Sequence, residues 1–430
     1  MTTLTLSQLE QYLSKAAWIL KGLIGASDFK AYIFPMLFFK RISDVYDEEF
    51  QTALDESGGD EEYAALPEFH RFVIPAGCHW NDVRETTSNV GLKIESSLRE
   101  IESANQDYLY GIFGDAQWSN KNSLPDRLLV DLVEHFFQYT LSRALVAPDM
   151  LGQAYEYLIK HFTDLTNKKA GEFYTPRSVV HLMGMIIDPH ERESIYDPAC
   201  GTGGMLIESI DHLKENNEDY RTLKLYGQEE NLTSSSIARM NMFLHGVEDF
   251  KVARADTLRS PAFFTAGGLQ TFDCVIANPP FSLKEWGVNS WTNDPYGRNI
   301  AGLPPQGNGD MAWVQHMIKS MRAKTGRWAV VLPQGRSSGK RRKAESARPC
   351  WKWICWRRSS AWGRISSTAP SLPPASWSSG LKSRRNGRNR SSSSMPPNST
   401  AWAVPRTSSK RSTSSASTAG IGNSRTSRTT

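Results

Sequence analysis

The sequence predicts an α/β fold in which an N-terminal helical domain precedes a doubly wound, mainly parallel sheet. Three observations predict it. Apolar residues recur at helical spacing before about residue 150, and short β-branched runs alternate with helical stretches after it. One such run, residues 272–277, stops at Asn278-Pro279-Pro280-Phe281. Proline offers no donor to a sheet and fixes φ, so this strand ends in a loop of set shape. The loop carries the Asn278 amide, the Pro279 carbonyl and the Phe281 ring at the carboxyl end of a strand, where open α/β sheets bind ligands. Those groups suit a planar base with an exocyclic amine.

The helical domain is expected over residues 1–148. Leu9, Leu13, Ala16, Ala17, Leu20 and Ile24 recur at helical spacing, a second apolar stretch covers 32–42, and a third amphipathic helix is expected over 128–145. Such stripes are core faces. Residues 58–62, Gly-Gly-Asp-Glu-Glu, read as an exposed loop. The sheet domain is expected over 149–335, with strands at 194–196, 223–228, 252–255, 272–277 and 328–332. Helices are expected over 205–213 and over 232–245, the second stopped by Gly246.

Composition is that of a globular chain: 430 residues, 39% hydrophobic and 10% aromatic. Five cysteines, Cys78, Cys200, Cys274, Cys350 and Cys355, include no Cys-x-x-Cys pair, so no disulfide framework or metal site is indicated. A reducing, cytoplasmic location is the expectation. No basic-then-apolar signal opens the chain, and its longest apolar patch, residues 31–39, is too short to span a membrane.

The net charge of +5 divides unevenly. Residues 336–430 hold 20 of the 50 Lys+Arg and one acid, Glu345, out of 45, which leaves −14 on residues 1–335. A basic, Ser-rich tail normally reads as a disordered nucleic-acid-binding arm. This one also carries Trp351, Trp353, Trp356, Trp362, Trp377 and Trp402, which such arms usually lack. Read one frame away, codons compatible with residues 350–363 spell Leu-Glu-Met-Asp-Leu-Leu-Glu-Ala-Val-Ile-Gly-Leu-Gly, a helix end running into a buried strand. Because tryptophan has a single codon, much of that reading is constrained. A frame slip just after Gly335, leaving 336–430 as a disordered out-of-frame tail, is therefore expected over a genuine basic arm.

The chemistry upstream begins with a glycine turn, Asp197-Pro198-Ala199-Cys200-Gly201-Thr202-Gly203-Gly204. Glycines after a strand let a ligand approach the backbone, and the next helix offers free N–H groups. The turn lacks the Gly-Lys-Ser/Thr of a phosphate loop and the spacing of the dinucleotide fingerprint, and it also suits tight helix packing alone. Glu229 ends the next strand, where an acid accepts both hydroxyls of a ribose; Asp256 follows the third and suits an adenine amine. Either acid by itself also suits a solvated loop.

Taken with Gly171-Glu172-Phe173-Tyr174-Thr175-Pro176 and Lys40-Arg41-Ile42-Ser43-Asp44, these motifs resemble the methylation subunit of type I restriction-modification systems, adenine-specific DNA methyltransferases. The resemblance runs from the helical domain to about Gly335. It implies S-adenosylmethionine as cofactor, held by Asp197, Ala199, Gly201, Thr202 and Gly203 with Tyr174 and Thr175 at its methionine part. Glu229 would take the ribose and Asp256 the cofactor adenine. Asn278 and the Pro279 carbonyl would accept the hydrogens of the target amine, with Pro280 fixing the loop and Phe281 stacking on a flipped adenine; no metal is implied. As partners it implies DNA, a specificity subunit and a restriction subunit, with two copies of this chain per complex and no membrane. The acidic body agrees, since a stand-alone DNA enzyme needs many cationic phosphate contacts.

Three rivals stand beside this reading. The same proline motif serves protein-glutamine N-methyltransferases; the chain is an inactive truncated fragment if the frame slips; and a nucleotide-dependent oxidoreductase would leave Asn278 to Phe281 without a purpose.

Overall fold

The stripe Leu9, Leu13, Ala16, Ala17 and Leu20 lies buried along α1 (Leu6–Leu20). Thr5 starts that helix with a reciprocal capping box, its N–H donating to Gln8 Oε1 at 2.9 Å. The structure, a computed structural model, describes residues 4–25, 28–165, 175–247, 249–333 and 351–357. The second apolar stretch and the acids that follow it form one helix, α2 (Phe29–Glu56), with Pro35 inside it. Short helices α3 (Glu61–Ala64), α4 (Trp80–Arg84) and α6 (Gln106–Leu109) accompany α5 (Val90–Ala104) and α7 (Asp126–Phe137), and α8 (Pro148–Leu165) follows. All but α3 and part of α8 contribute to one apolar core that includes Phe34, Phe38, Phe39, Phe136 and Tyr155.

The helix expected over 128–145 stops early, at Phe137. Beyond it, α2 captures the backbone: Asp44 accepts from Leu141 N–H at 2.6 Å, and Arg41 donates to the carbonyls of Leu141 and, at 3.1 Å, Val146. Groups bonded to α2 are unavailable for a helical ladder, so the chain turns here before α8. The Lys40-Arg41-Ile42-Ser43-Asp44 motif is thus a buried strut, completed by the Lys40–Asp44 ion pair. Burial pushes the Asp44 carboxyl upward, against the pull of Lys40, and lowers Arg41 to about 10.

The sheet forms from β1 (Ser194–Asp197), β2 (Lys224–Glu229), β3 (Phe250–Arg254), β6 (Cys274–Ala277), β7 (Arg327–Pro333) and β8 (Trp351–Arg357), with β4 (Phe264–Thr265) and β5 (Gly268–Leu269) as a separate hairpin. Its order is β3-β2-β1-β6-β7-β8, parallel except for β8. The helices are α9 (Arg177–Ile187), α10 (Gly204–Glu215), α11 (Leu232–Leu244), α12 (Val288–Thr292) and α13 (Asp310–Lys319). Strand residues alternate between two cores. Ile195, Cys274, Ile276, Ala329 and Val331 meet α9, α10 and α11; Tyr196, Val275, Ala277, Val330 and Leu332 meet α13.

Helix α11 ties the sheet to the helical domain. Ala238 and Met242 pack on the sheet core, while Ile237, Met240 and Leu244, one step round the helix, pack into the helical core. Strand β8 lies inside the segment expected to be a disordered tail; the sequence there, with three tryptophans in seven residues, suits an antiparallel edge on β7. The rest of 336–430 lies outside the described residues. Among the described residues, no helix is long and apolar enough to cross a membrane, and no cluster of three or more His, Cys, Asp or Glu could hold a metal.

The strand order places the functional motifs. From β1 the chain winds outward through β2 to β3, then returns to β6 on the other side of β1. The carboxyl ends of β1 and β6 therefore flank the point where the winding reverses, the place at which open α/β sheets bind ligands. The glycine turn leaves β1 there and the proline loop leaves β6 there.

Candidate active site

The turn after β1 is held by bonds to its own backbone. Asp197, buried at the end of the strand, accepts from Ala199 N–H at 3.0 Å, and Glu229 at the end of β2 accepts from Gly201 N–H at 3.0 Å and Asn231 N–H at 2.8 Å. The Pro198 carbonyl accepts from Thr257 Oγ1 at 2.6 Å and the Thr202 carbonyl from Asn241 Nδ2 at 3.0 Å. Gly201 and Gly203 adopt left-handed φ of 54° and 84°, which a side chain adopts only under strain. A Cβ on Gly203 would lie 2.8 Å from Met242 Cε, so the turn sits tight on α11. Burial raises the Asp197 carboxyl to about 8, opposed by the Ala199 N–H and reinforced by Glu229. Burial also raises Glu229, and its backbone donors from Asn231 and Gly201 pull it back.

The loop after β6 is organised in the opposite way. The ladder with β7 ends at Ala277↔Val330, and the two prolines carry the chain out of the sheet. Asn278 Nδ2 donates to Thr175 Oγ1 at 2.8 Å, while Asn278 Oδ1 is buried with no hydrogen-bond partner among the described residues. A buried carbonyl left unpaired costs roughly 1–3 kcal/mol, so this one is a ready acceptor for a donor brought by a ligand. Pro279 is buried and Pro280 exposed, whereas Phe281 is half-buried and packs against the core of the α9–α11 face. Ser282, at φ 54°, donates its N–H to Asp310 at the start of α13 over 2.7 Å, which fixes the far end of the loop.

Thr175 joins the two halves. It bonds Asn278 and lines a cavity together with Thr202 and Gly204 of the glycine turn. Tyr174, expected beside it, lies outside the described residues. Asp256 lies just beyond β3, but its bonds are those of a turn: Oδ1 accepts from Leu258 N–H at 2.9 Å and Arg259 N–H at 3.1 Å, and Oδ2 is 3.3 Å from Arg259 Nε.

Sequence reasoning missed the scaffold behind the turn. Arg298, 1% exposed, pairs with Asp294 at 2.8 Å, donates to the Thr257 carbonyl at 3.0 Å and stacks 4.5 Å from the Trp291 ring. Trp286 and Trp291 are fully buried with Leu258, Ala312 and Trp313, and Ala199 of the turn packs against them. Gln228 is also wholly buried, donating to the carbonyls of Ala255 and Ser260 at 3.2 and 3.0 Å and accepting from Ala262 N–H at 3.0 Å. The usable signal was the presence of two large aromatics, Trp286 and Trp291, a residue type that is highly buried on average.

These groups fit a cofactor with a ribose and an amino-acid end. Glu229 presents a carboxylate beside the turn, the glycines leave the backbone bare, and the unpaired Asn278 oxygen sits beyond Thr175.

Comparison with known proteins agrees. Residues 146–346 match the family described as N-6 DNA Methylase, and residues 9–136 match the HsdM N-terminal domain. The type I restriction enzyme HindI methylase subunit of Haemophilus influenzae is 30% identical, over 62% of this chain and 62% of its own length. The MjaIX methylase subunit of Methanocaldococcus jannaschii is 26% identical, over 76% of this chain and 61% of its own. The chain thus spans about three fifths of these two relatives. The crystal structure of the type I restriction-modification system methyltransferase subunit from Streptococcus thermophilus superposes with a TM-score of 0.65 at 27% identity, covering 77% of this chain and 75% of that one. The fold is that of this methyltransferase subunit, and the chain carries an HsdM N-terminal domain followed by an N-6 DNA Methylase domain.

Proposed function

We propose that this chain transfers a methyl group from S-adenosylmethionine to the N6 amine of adenine in DNA, as the methylation subunit of a type I complex. The observation that carries the reading is the Asn278 amide, turned by Thr175 so that its buried oxygen is left without a donor. Asp197, Ala199, Gly201, Thr202, Gly203, Thr175 and Tyr174 hold the methionine part of the cofactor, Glu229 the ribose, and Asp256 the adenine. When bound, that cofactor supplies a methyl group activated by a positively charged sulfur. The chain's own residues prepare the acceptor. An adenine amine is a poor nucleophile because its lone pair is delocalised into the ring. Asn278 Oδ1 and the Pro279 carbonyl, each accepting one amine hydrogen, favour the pyramidal, cationic geometry of the transition state. Because their positions are set by Thr175 and the two prolines, little reorganisation is needed as charge develops.

The amine is out of reach within a duplex, so the target nucleotide must be flipped out, and the exposed part of Phe281 offers the extruded base a stacking surface. With a net −14 on residues 1–335, tight duplex binding calls for a partner with basic grooves. The specificity subunit fills that role, with a restriction subunit and a second copy of this chain completing a cytoplasmic complex. Residues 1–148 are the N-terminal helical domain and 149–335 the methyltransferase domain. Incubating the chain, with its specificity subunit, with DNA and methyl-labelled cofactor tests the reading: label appears as N6-methyladenine, and label in cytosine or in protein glutamine would refute it. The frame-slip account of 336–430 has its own test, since an unbroken reading frame through codon 335 would end it.

A further inference from the structure

Between the proline loop and α13 the chain buries its tryptophans but leaves aliphatic side chains in solvent. Trp286 and Trp291 are fully buried, whereas Leu283, Ile300 and Leu303 are 36%, 49% and 46% exposed. One exposed aliphatic needs no explanation, but Ile300 and Leu303 stand on a backbone that is pinned on both sides. Gln315 of α13, itself buried, accepts from Ala301 N–H at 2.7 Å and donates to the Gly302 carbonyl at 3.0 Å. Trp286 Nε1 donates to the Pro305 carbonyl at 3.0 Å. Ile300 N–H donates to the Arg298 carbonyl at 2.7 Å, next to the buried Arg298–Asp294 pair. Only Ala301 and Gly302 separate the two aliphatics, so the loop ends in a thin apolar tip on a fixed base.

The same helix carries the active-site loop. Asp310, at the start of α13, accepts from Ser282 N–H at 2.7 Å, and Gly309 N–H donates to the Leu283 carbonyl at 2.9 Å. Gln315 stands about 7.5 Å further along α13, so the tip and the Asn278 loop share one rigid support. Lys284, beside Leu283, is exposed and has no ion pair among the described residues; on an acidic body this is a place for an anion. Resting on the methyltransferase reading above, we propose that Ile300 and Leu303 form a wedge that enters the duplex where the target adenine leaves it, with Lys284 against the adjoining phosphates. A flipped base leaves a gap in the stack, and an apolar side chain that fills the gap restores contact with the neighbouring bases and opposes the return of the flipped one. Filling by aliphatic contact reads no base edge, so the choice of sequence stays with another chain. The pinned backbone serves this task, because a slack loop would give way instead of parting the bases. Ile300 and Leu303 are thus positioning residues, acting on the fraction of adenine held outside the helix and not on the methyl group.

The test uses the full chain with its specificity subunit and S-adenosylmethionine on two duplexes, the target site being located first by sequencing DNA modified by the wild type. One duplex sets the target adenine opposite thymine; the other sets it opposite an abasic site, where its pairing is already lost. The double variant Ile300→Ala, Leu303→Ala is expected to slow methyl transfer to the paired target by at least about tenfold and to the abasic-opposed target by less than about threefold. Unchanged binding of S-adenosylhomocysteine shows that the variant is folded. Lys284→Gln should weaken binding of both duplexes alike and make it less dependent on salt. Equal slowing on both duplexes would overturn the inference, since the tip would then only shape the site, and an unchanged rate on the paired duplex would overturn it as well. Failure of the double variant to co-elute with the specificity subunit would also overturn it, by making the tip a protein contact. A wild type that methylates adenine in neither duplex would refute the methyltransferase reading, and the inference with it.

Discussion

The glycine turn after β1 and the proline loop after β6 sit side by side at the same end of the sheet, yet they reach rigidity by opposite means. In the turn, the carboxylates and carbonyls that shape it are bonded: Asp197 to Ala199, Glu229 to Gly201 and Asn231, Pro198 to Thr257, Thr202 to Asn241. In the loop, hydrogen bonds to Thr175 and Asp310 hold the two ends, two prolines stiffen the stretch between them, and one buried acceptor, Asn278 Oδ1, stays unspent. The difference matches two tasks. A binding turn benefits from a fixed shape in advance, whereas a reacting loop needs an acceptor whose partner arrives with the substrate.

That contrast can be broken from either side, and the largest effect should come from behind the turn. Arg298→Met removes one member of a buried ion pair, strands Asp294 and frees the Thr257 carbonyl, at a cost of about 3–5 kcal/mol of folding free energy. Urea unfolding measures it, and an unchanged midpoint would show that the turn stands without this prop. Asn278→Ala should act on the loop alone. Methyl transfer is expected to fall by roughly 10²–10³-fold while S-adenosylhomocysteine affinity stays within about twofold. Equal losses in both would mean that loop and turn are one unit.

Smaller effects sharpen the picture. Gly203→Ala, strained at φ 84° and 2.8 Å from Met242 Cε, should cost about 1–3 kcal/mol. Gly201→Ala, at φ 54° with open space around it, should cost about 1 kcal/mol; the two midpoints decide whether contact with α11 matters. The last effect is a slope with pH. With its folded pKa raised to about 8 from 3.8, Asp197 keeps a proton that the unfolded chain gives up, so stability falls as pH rises from about 4 to about 8 and levels off above. Asp197→Asn should flatten a plot of stability against pH by about 1 kcal/mol per unit in that window. Glu156, raised to about 7, leaves a residual slope of the same sign.

Much of this was legible in the sequence because it depends on local grammar. Alternating strands and helices announced the sheet, and glycines and prolines at strand ends marked both loops; β1, β2 and β7 lie within one residue of expectation at each end, and β6 ends as expected but starts two residues late, at Cys274. β3 starts two residues early, at Phe250, where pairing with Leu225 extends it beyond its β-branched part. What was not legible depends on contacts far apart in the chain. The helix ending at Phe137 stops because α2 takes the backbone of Leu141, and nothing near residue 138 announces that. Arg298 looks like an exposed loop residue until Asp294, Thr257 and Trp291 close around it. The unpaired oxygen of Asn278 follows from its bond to Thr175, 103 residues earlier.

The central claim is that the Asn278 oxygen accepts a hydrogen from the amine that is methylated. Its most direct test is nucleoside mass spectrometry of DNA incubated with the full chain, its specificity subunit and S-adenosylmethionine, with wild type and Asn278→Ala in parallel. The account predicts N6-methyladenine from wild type and at least a hundredfold less from the variant, with both binding S-adenosylhomocysteine alike. N6-methyladenine at equal yield from both proteins would contradict it.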